Sequence, residues 1–235
     1  MSVPPLYREF AGPWALAEAL ASAVAHDLRE AVQARGRATL VVSGGNTPRR
    51  FLEALAREPL RYADITITLA DERWVPPDHL RSNERLLHES LLRNGAAAAR
   101  FIPLYRPAAQ PESVLVQIAA ELDALPLPFD AVVLGMGSDG HCASLFPGGD
   151  NLDAALRADG VARVLPMRAP AAQEPRITLT LPALVRTRAM YLHIEGTQKR
   201  EVLASALAGV APFEHAPIAA VLRQTATTPQ VYCCP

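Results

Sequence analysis

The sequence predicts an α/β protein: a three-layer, mainly parallel sheet with helices on both faces, Rossmann-like in its organisation. Three observations carry this. Short apolar, β-branched runs alternate with stretches whose apolar residues recur every three or four positions. Glycine-rich turns follow several of the apolar runs, as ligand-binding loops do at the carboxyl edge of a parallel sheet. The chain of 235 residues is 50% hydrophobic, enough to bury a large core, and we read residues 1–235 as one domain. Strand-helix alternation then implies right-handed crossovers and a mainly parallel sheet.

The elements follow in order. Between Pro13 and Gly36, residues Ala17, Leu20, Val24, Leu28 and Val32 form one apolar face of a helix, with Gly36 as its stop. Ala38–Val42 is a buried strand, and Thr47-Pro48 reads as an N-cap followed by a first-turn proline, opening a helix with Phe51, Leu52 and Leu55. Ile65–Leu69 is a second strand, and a helix is expected from Asn83 or Glu84 to Asn94 with Gly95 as its stop. Glu112–Leu125 is an amphipathic helix and Phe129–Leu134 a buried strand. Arg176–Leu181 and Ala189–Ile194 read as strands, and a helix runs from about Thr197 to Ala208. The proline- and alanine-rich stretches Leu104–Pro111 and Pro166–Pro175 read as surface connections. No internal repeat is visible.

Composition excludes several classes of function. The formal charge of −1, with no basic run, argues against a nucleic-acid or membrane-surface partner and for a small molecule held by a few placed cations and backbone amides. Cys142, Cys233 and Cys234 cannot build a disulfide framework, so a reducing cytoplasm is expected. The opening segment lacks a secretory signal, and no apolar run approaches the length of a membrane span.

Four segments carry chemistry. Ser43-Gly44-Gly45-Asn46-Thr47-Pro48 is a turn whose backbone can approach an anion closely, with the Thr47 hydroxyl as an added donor. Asp71-Glu72-Arg73 follows the second strand, and the Arg73 guanidinium suits a phosphate or negative charge growing on a carbonyl oxygen. The most informative stretch is Gly135–Gly148, G-M-G-S-D-G-H-C-A-S-L-F-P-G. There His141 can accept a proton near neutral pH and Asp139 can orient it. Arg176 and Lys199 are candidate cations for an anion, although single basic residues are more often solvated surface charges.

These motifs, with Ser82-Asn83-Glu84 and the R-I-T-L-T-L-P run, stand in an order and spacing that resemble the 6-phosphogluconolactonases, from about Val41 to Lys199. That family shares a superfamily with glucosamine-6-phosphate deaminase, a sugar-phosphate isomerase type of fold. The resemblance implies hydrolysis of 6-phospho-D-glucono-1,5-lactone to 6-phosphogluconate, a step of the oxidative pentose phosphate pathway, without metal or organic cofactor. It implies that His141 is the general base, that Asp139 orients it and that Arg73 steadies negative charge. Gly44, Gly45, Asn46, Thr47, Arg176 and Lys199 would form the phosphate pocket, with Asp71 also among the substrate-binding residues. The protein would be a monomer or small homo-oligomer. Asn46 and Cys142 depart from the family's usual serine and threonine.

Rival readings are weaker on these residues. The deaminase pattern carries a glutamate just before the Pro-Gly that ends the central loop, where this chain has Phe146, an apolar ring that cannot relay protons. Phe146 is therefore expected to be a packing residue whose truncation to leucine spares activity. Gly135, Gly137 and Gly140 satisfy a dinucleotide-binding pattern, with Asp159 downstream, but Pro147-Gly148-Gly149 interrupts the helix it needs. A non-enzymatic sugar-phosphate sensor would have no use for Asp139 and His141 together. His141 and Cys142 belong to no zinc-ligand spacing, and Ser144 lacks a nucleophile elbow.

Overall fold

The computed structural model describes residues 4–235. The chain begins with strand β1 (Leu6–Glu9), helix α1 (Pro13–Arg35), strand β2 (Ala38–Val42) and helix α2 (Arg49–Leu55). It continues through β3 (Ile65–Leu69), β4 (Asp71–Arg73), α3 (Asn83–Ser90), β5 (Arg100–Ile102), α4 (Leu115–Asp123) and β6 (Phe129–Gly135). Then come α5 (Leu152–Leu156), β7 (Val164–Met167), β8 (Arg176–Leu179), α6 (Leu181–Val185) and β9 (Thr187–Glu195). The chain closes with α7 (Thr197–Ala208), α8 (Pro217–Gln224) and β10 (Gln230–Cys234).

Seven strands form one sheet in the order β1-β10-β9-β6-β2-β3-β5, every neighbouring pair parallel. Strand order reverses at β2 and β6: β2 is followed outward by β3 and β5, β6 by β9, β10 and β1. Connections leaving β2 and β6 therefore part from each other and open a crevice at the strands' carboxyl ends, where open α/β sheets bind ligands. The register Val42↔Val133 puts the loops after these two strands side by side.

The central strands are continuous apolar runs because both sides are covered. Helix α2 packs on both α1 and α3, and α8 packs on both α6 and α7 in a second group. Along α1 the buried residues Leu16, Leu20, Val24 and Leu28 recur at helical spacing. Pro13 opens that helix and Gly36, at φ 69°, closes it with its amide on the Val32 carbonyl, as the sequence predicts.

Several expectations need correction. Thr47 is not a helix cap, since α2 begins at Arg49 with no side-chain cap bond, so its hydroxyl stays available to a ligand. Helix α3 stops at Ser90, and the residue at positive φ nearby is Asn94, not Gly95. The Arg176 strand ends at Leu179 and lies outside the parallel sheet, in a small antiparallel sheet of order β4-β8-β7. Strand β7 falls partly within a stretch read as surface connection; its Pro166 is tolerated because β7 is an edge strand. The terminal strands were not expected as elements, although Cys233 and Cys234 do end a buried strand, where thiols pack as small apolar groups. Among the described residues no helix is long and apolar enough to cross a membrane.

Candidate active site

A cleft of about 210 Å³ occupies the crevice above β2 and β6. Gly44, Gly45, Asn46, Thr47, Asp71, Arg73, His141, Arg176 and Lys199 all line it. Asp139 does not line it and stands behind His141.

The turn after β2 is shaped for close approach. Gly45 has φ 96°, a left-handed conformation that suits glycine. A Cβ on Gly44 would lie 2.0 Å from the Asn83 Oδ1, so only glycine lets Asn83 pack against this turn. Asn83 is fixed in turn by its Nδ2 donating to the Asp71 carbonyl at 2.9 Å. Glu72, fully buried, accepts from the amides of Arg73, Asn83 and Glu84 at 2.7, 2.8 and 2.7 Å and from the Ser82 hydroxyl at 3.1 Å. Burial pushes its carboxyl up to about 7 against the pull of those amides. Glu72 thus ties the start of α3 to β4.

The loop after β6 presents the imidazole. Gly137 donates its amide to the His141 carbonyl at 2.9 Å, and Ile218 donates to the Gly140 carbonyl at 3.1 Å, which pins the loop at both sides. His141 Nδ1 lies 2.5 Å from Asp139 Oδ1. Burial alone would raise the Asp139 carboxyl, but its hydrogen bonds and the facing imidazole outweigh that and hold it below the usual range. An ionised Asp139 fixes the proton on Nδ1 and leaves Nε2 as the bare, proton-accepting nitrogen. Ser144, by contrast, is buried and donates to Asp71 Oδ2 at 2.5 Å, a tether between loop and β4 and no exposed nucleophile.

The antiparallel pairing of β4 with β8 sets Arg73 directly opposite Arg176. Arg73 Nη1 donates to the Arg81 carbonyl at 2.5 Å, while its Nε is buried with no protein partner. Arg176 is also buried, and its nearest carboxylates, on Asp71 and Glu174, are both 3.9 Å away. Burial weakens the hold of Arg176 on its proton, yet a guanidinium stays charged, so the cleft contains cationic donors whose hydrogen bonds are not filled by the protein.

His193 is a cleft residue that sequence reasoning missed. Its only signal was a polar residue at an alternate position of a buried strand, paired in register with Gly135. Its Nε2 faces Glu195 Oε1 at 3.2 Å, and its Nδ1 is buried without a partner. Burial, helped by the nearby Lys199 charge, depresses its pKa to about 4. Lys199 is itself lowered by burial, with Glu195 opposing the shift. A folded pKa below the unfolded 6.5 means the native state resists protonation there. The stability this confers is present above pH 6.5 and lost as pH falls towards 4, on the order of 3 kcal/mol. Urea unfolding at pH 7.5 and 4.5 should therefore show wild type losing about that much more stability than His193→Gln; equal losses would contradict it.

Among the described residues no group of three His, Cys, Asp or Glu is arranged to hold a metal ion. Residues 12–230 match the family described as glucosamine-6-phosphate isomerases/6-phosphogluconolactonase. The chain is 47% identical over 226 residues to a 6-phosphogluconolactonase of Rhizobium meliloti (strain 1021), covering 96% of this chain and 97% of that protein. It is 48% identical over 211 residues to one from Pseudomonas aeruginosa, covering 90% and 88%. The crystal structure of a 6-phosphogluconolactonase from Shewanella baltica OS155 superposes with a TM-score of 0.94 at 41% identity over the whole of both chains. A monomeric glucosamine-6-phosphate deaminase shares the fold, with a TM-score of 0.78 at 18% identity over 97% of each chain. With a family match across nearly its whole length, this chain belongs to the glucosamine-6-phosphate isomerase/6-phosphogluconolactonase family.

Proposed function

We infer that this chain is a hydrolase converting 6-phospho-D-glucono-1,5-lactone to 6-phosphogluconate, with His141 as the general base. The observation that carries the reading is the His141–Asp139 pair at 2.5 Å, set in the same cleft as the glycine turn, Arg176 and Lys199. His141 Nε2 takes a proton from water as the water oxygen attacks the lactone carbonyl carbon. The carbonyl electrons move onto oxygen, where the Arg73 guanidinium steadies the charge. Collapse of the tetrahedral species breaks the bond to the ring oxygen, which leaves with the proton returned by His141. Asp139 keeps the imidazole in the tautomer this cycle needs. Gly44, Gly45, Asn46, Thr47, Arg176 and Lys199 hold the phosphate, and Asp71 faces the substrate from the cleft wall while tethering the central loop through Ser144.

Phe146 supports hydrolysis over deamination. Its ring centroid is 4.3 Å from that of His141, occupying with apolar carbon the place where ring opening would need a second proton carrier. We further propose that residues 1–235 work as one domain, as a monomer or small homo-oligomer in a reducing cytoplasm. Three free, buried cysteines fit that setting. The test is a paired assay of the purified protein. Freshly generated 6-phosphogluconolactone should disappear faster than its spontaneous hydrolysis, with no ammonia released from glucosamine 6-phosphate. Ammonia release without lactone turnover would overturn the reading.

A further inference from the structure

The sequence marks Phe146 as a packing residue, and its side chain is indeed buried, 4% exposed. Its contacts are more specific than packing requires, and they argue against the expectation that leucine at this position spares activity. One neighbour is the His141 ring, centroid to centroid 4.3 Å and inclined at 36°. The other is Arg176, whose Cζ sits over the Phe146 ring 5.4 Å from its centroid. Arg176 has no close ion pair to aim it: both carboxylates lie at 3.9 Å and its Nε has no partner. The aromatic face is therefore a principal contact that orients this guanidinium, since a ring quadrupole attracts a cation held over it. The ring's own backbone is anchored, its carbonyl accepting from the Gly149 amide at 3.0 Å.

We propose that Phe146 is a positioning residue that couples the two ends of the site, its ring steadying the His141 imidazole and aiming the Arg176 guanidinium at the substrate phosphate. This rests on the roles given above to His141 and Arg176. One apolar side chain then sets both the base geometry and part of the preference for a phosphorylated lactone. Leucine keeps apolar bulk there but offers no π face to a cation, whereas tyrosine retains the face.

A double-mutant cycle tests it, using Phe146→Leu, Phe146→Tyr, Arg176→Ala and Phe146→Leu/Arg176→Ala. Each is assayed on 6-phosphogluconolactone and on unphosphorylated glucono-1,5-lactone. Phe146→Leu should raise KM for the phosphorylated substrate by about tenfold, more than for the unphosphorylated one. It should also lower kcat on both by about tenfold through the loosened imidazole. Phe146→Tyr should restore both within about threefold. In the Arg176→Ala background, Phe146→Leu should add no further loss of phosphate preference while still lowering kcat, because the cation it aims is gone. If Phe146→Leu does not fold, Phe146→Met carries the same comparison. Additive losses of preference in the double variant, or Phe146→Leu kinetics within about twofold of wild type, would overturn the proposal. Full phosphate preference in Arg176→Ala alone would instead overturn the phosphate-pocket reading, and this proposal with it.

Discussion

His141→Asn should lower kcat by about a hundredfold to ten-thousandfold with little change in KM, the usual worth of a positioned general base. Asparagine keeps hydrogen-bonding capacity and approximate size, so the loss reports the missing proton acceptor and not a cavity. Steady-state kinetics on freshly generated lactone, corrected for spontaneous hydrolysis, gives the number. Activity within about threefold of wild type would remove His141 from the chemistry. Asp139→Asn should fall short of or match this loss. An amide at 2.5 Å from Nδ1 no longer fixes the proton there, so part of the population carries it on the nitrogen that should be bare.

Arg176→Ala and Lys199→Ala should each weaken the phosphorylated substrate by roughly 1.5 to 3 kcal/mol, about 10- to 150-fold in KM, while barely affecting the unphosphorylated lactone. The contrast between substrates is the informative part. Arg176 is buried beside Asp71 and Glu174, so its removal also leaves carboxylates less compensated and lowers stability. A stability loss acts equally on both substrates; a lost phosphate contact acts on one. Equal KM losses would show that these cations serve the fold alone.

Much of this architecture was legible because local signals and tertiary demands agree. Ala38–Val42 and Phe129–Leu134 are apolar runs that end in glycines, and both the buried strands and the turns at their carboxyl ends stand where those signals put them. Asp71-Glu72-Arg73 gives no local sign of a strand: three charged residues become β4 only because β8 pairs with them, and that pairing brings Arg73 to Arg176. Val164–Met167 hides behind its proline, which an edge position forgives. His193 resembles any core histidine until its register with Gly135 sets it on the cleft wall. His141 and Phe146 share one loop, but the contact of Phe146 with Arg176 joins that loop to β8, far along the sequence, so no local pattern could announce it.

On the proposed function, one cleft joins a proton-accepting imidazole to an anion pocket for a phosphate. The most direct measurement is the ratio of kcat/KM for 6-phosphogluconolactone to that for glucono-1,5-lactone in the wild-type protein, compared with the same ratio in Arg176→Ala. The expected wild-type ratio is at least about a hundred, from two or more charge-assisted contacts to the phosphate, falling at least about tenfold in the variant. Equal kcat/KM values for the two lactones in wild type would contradict it.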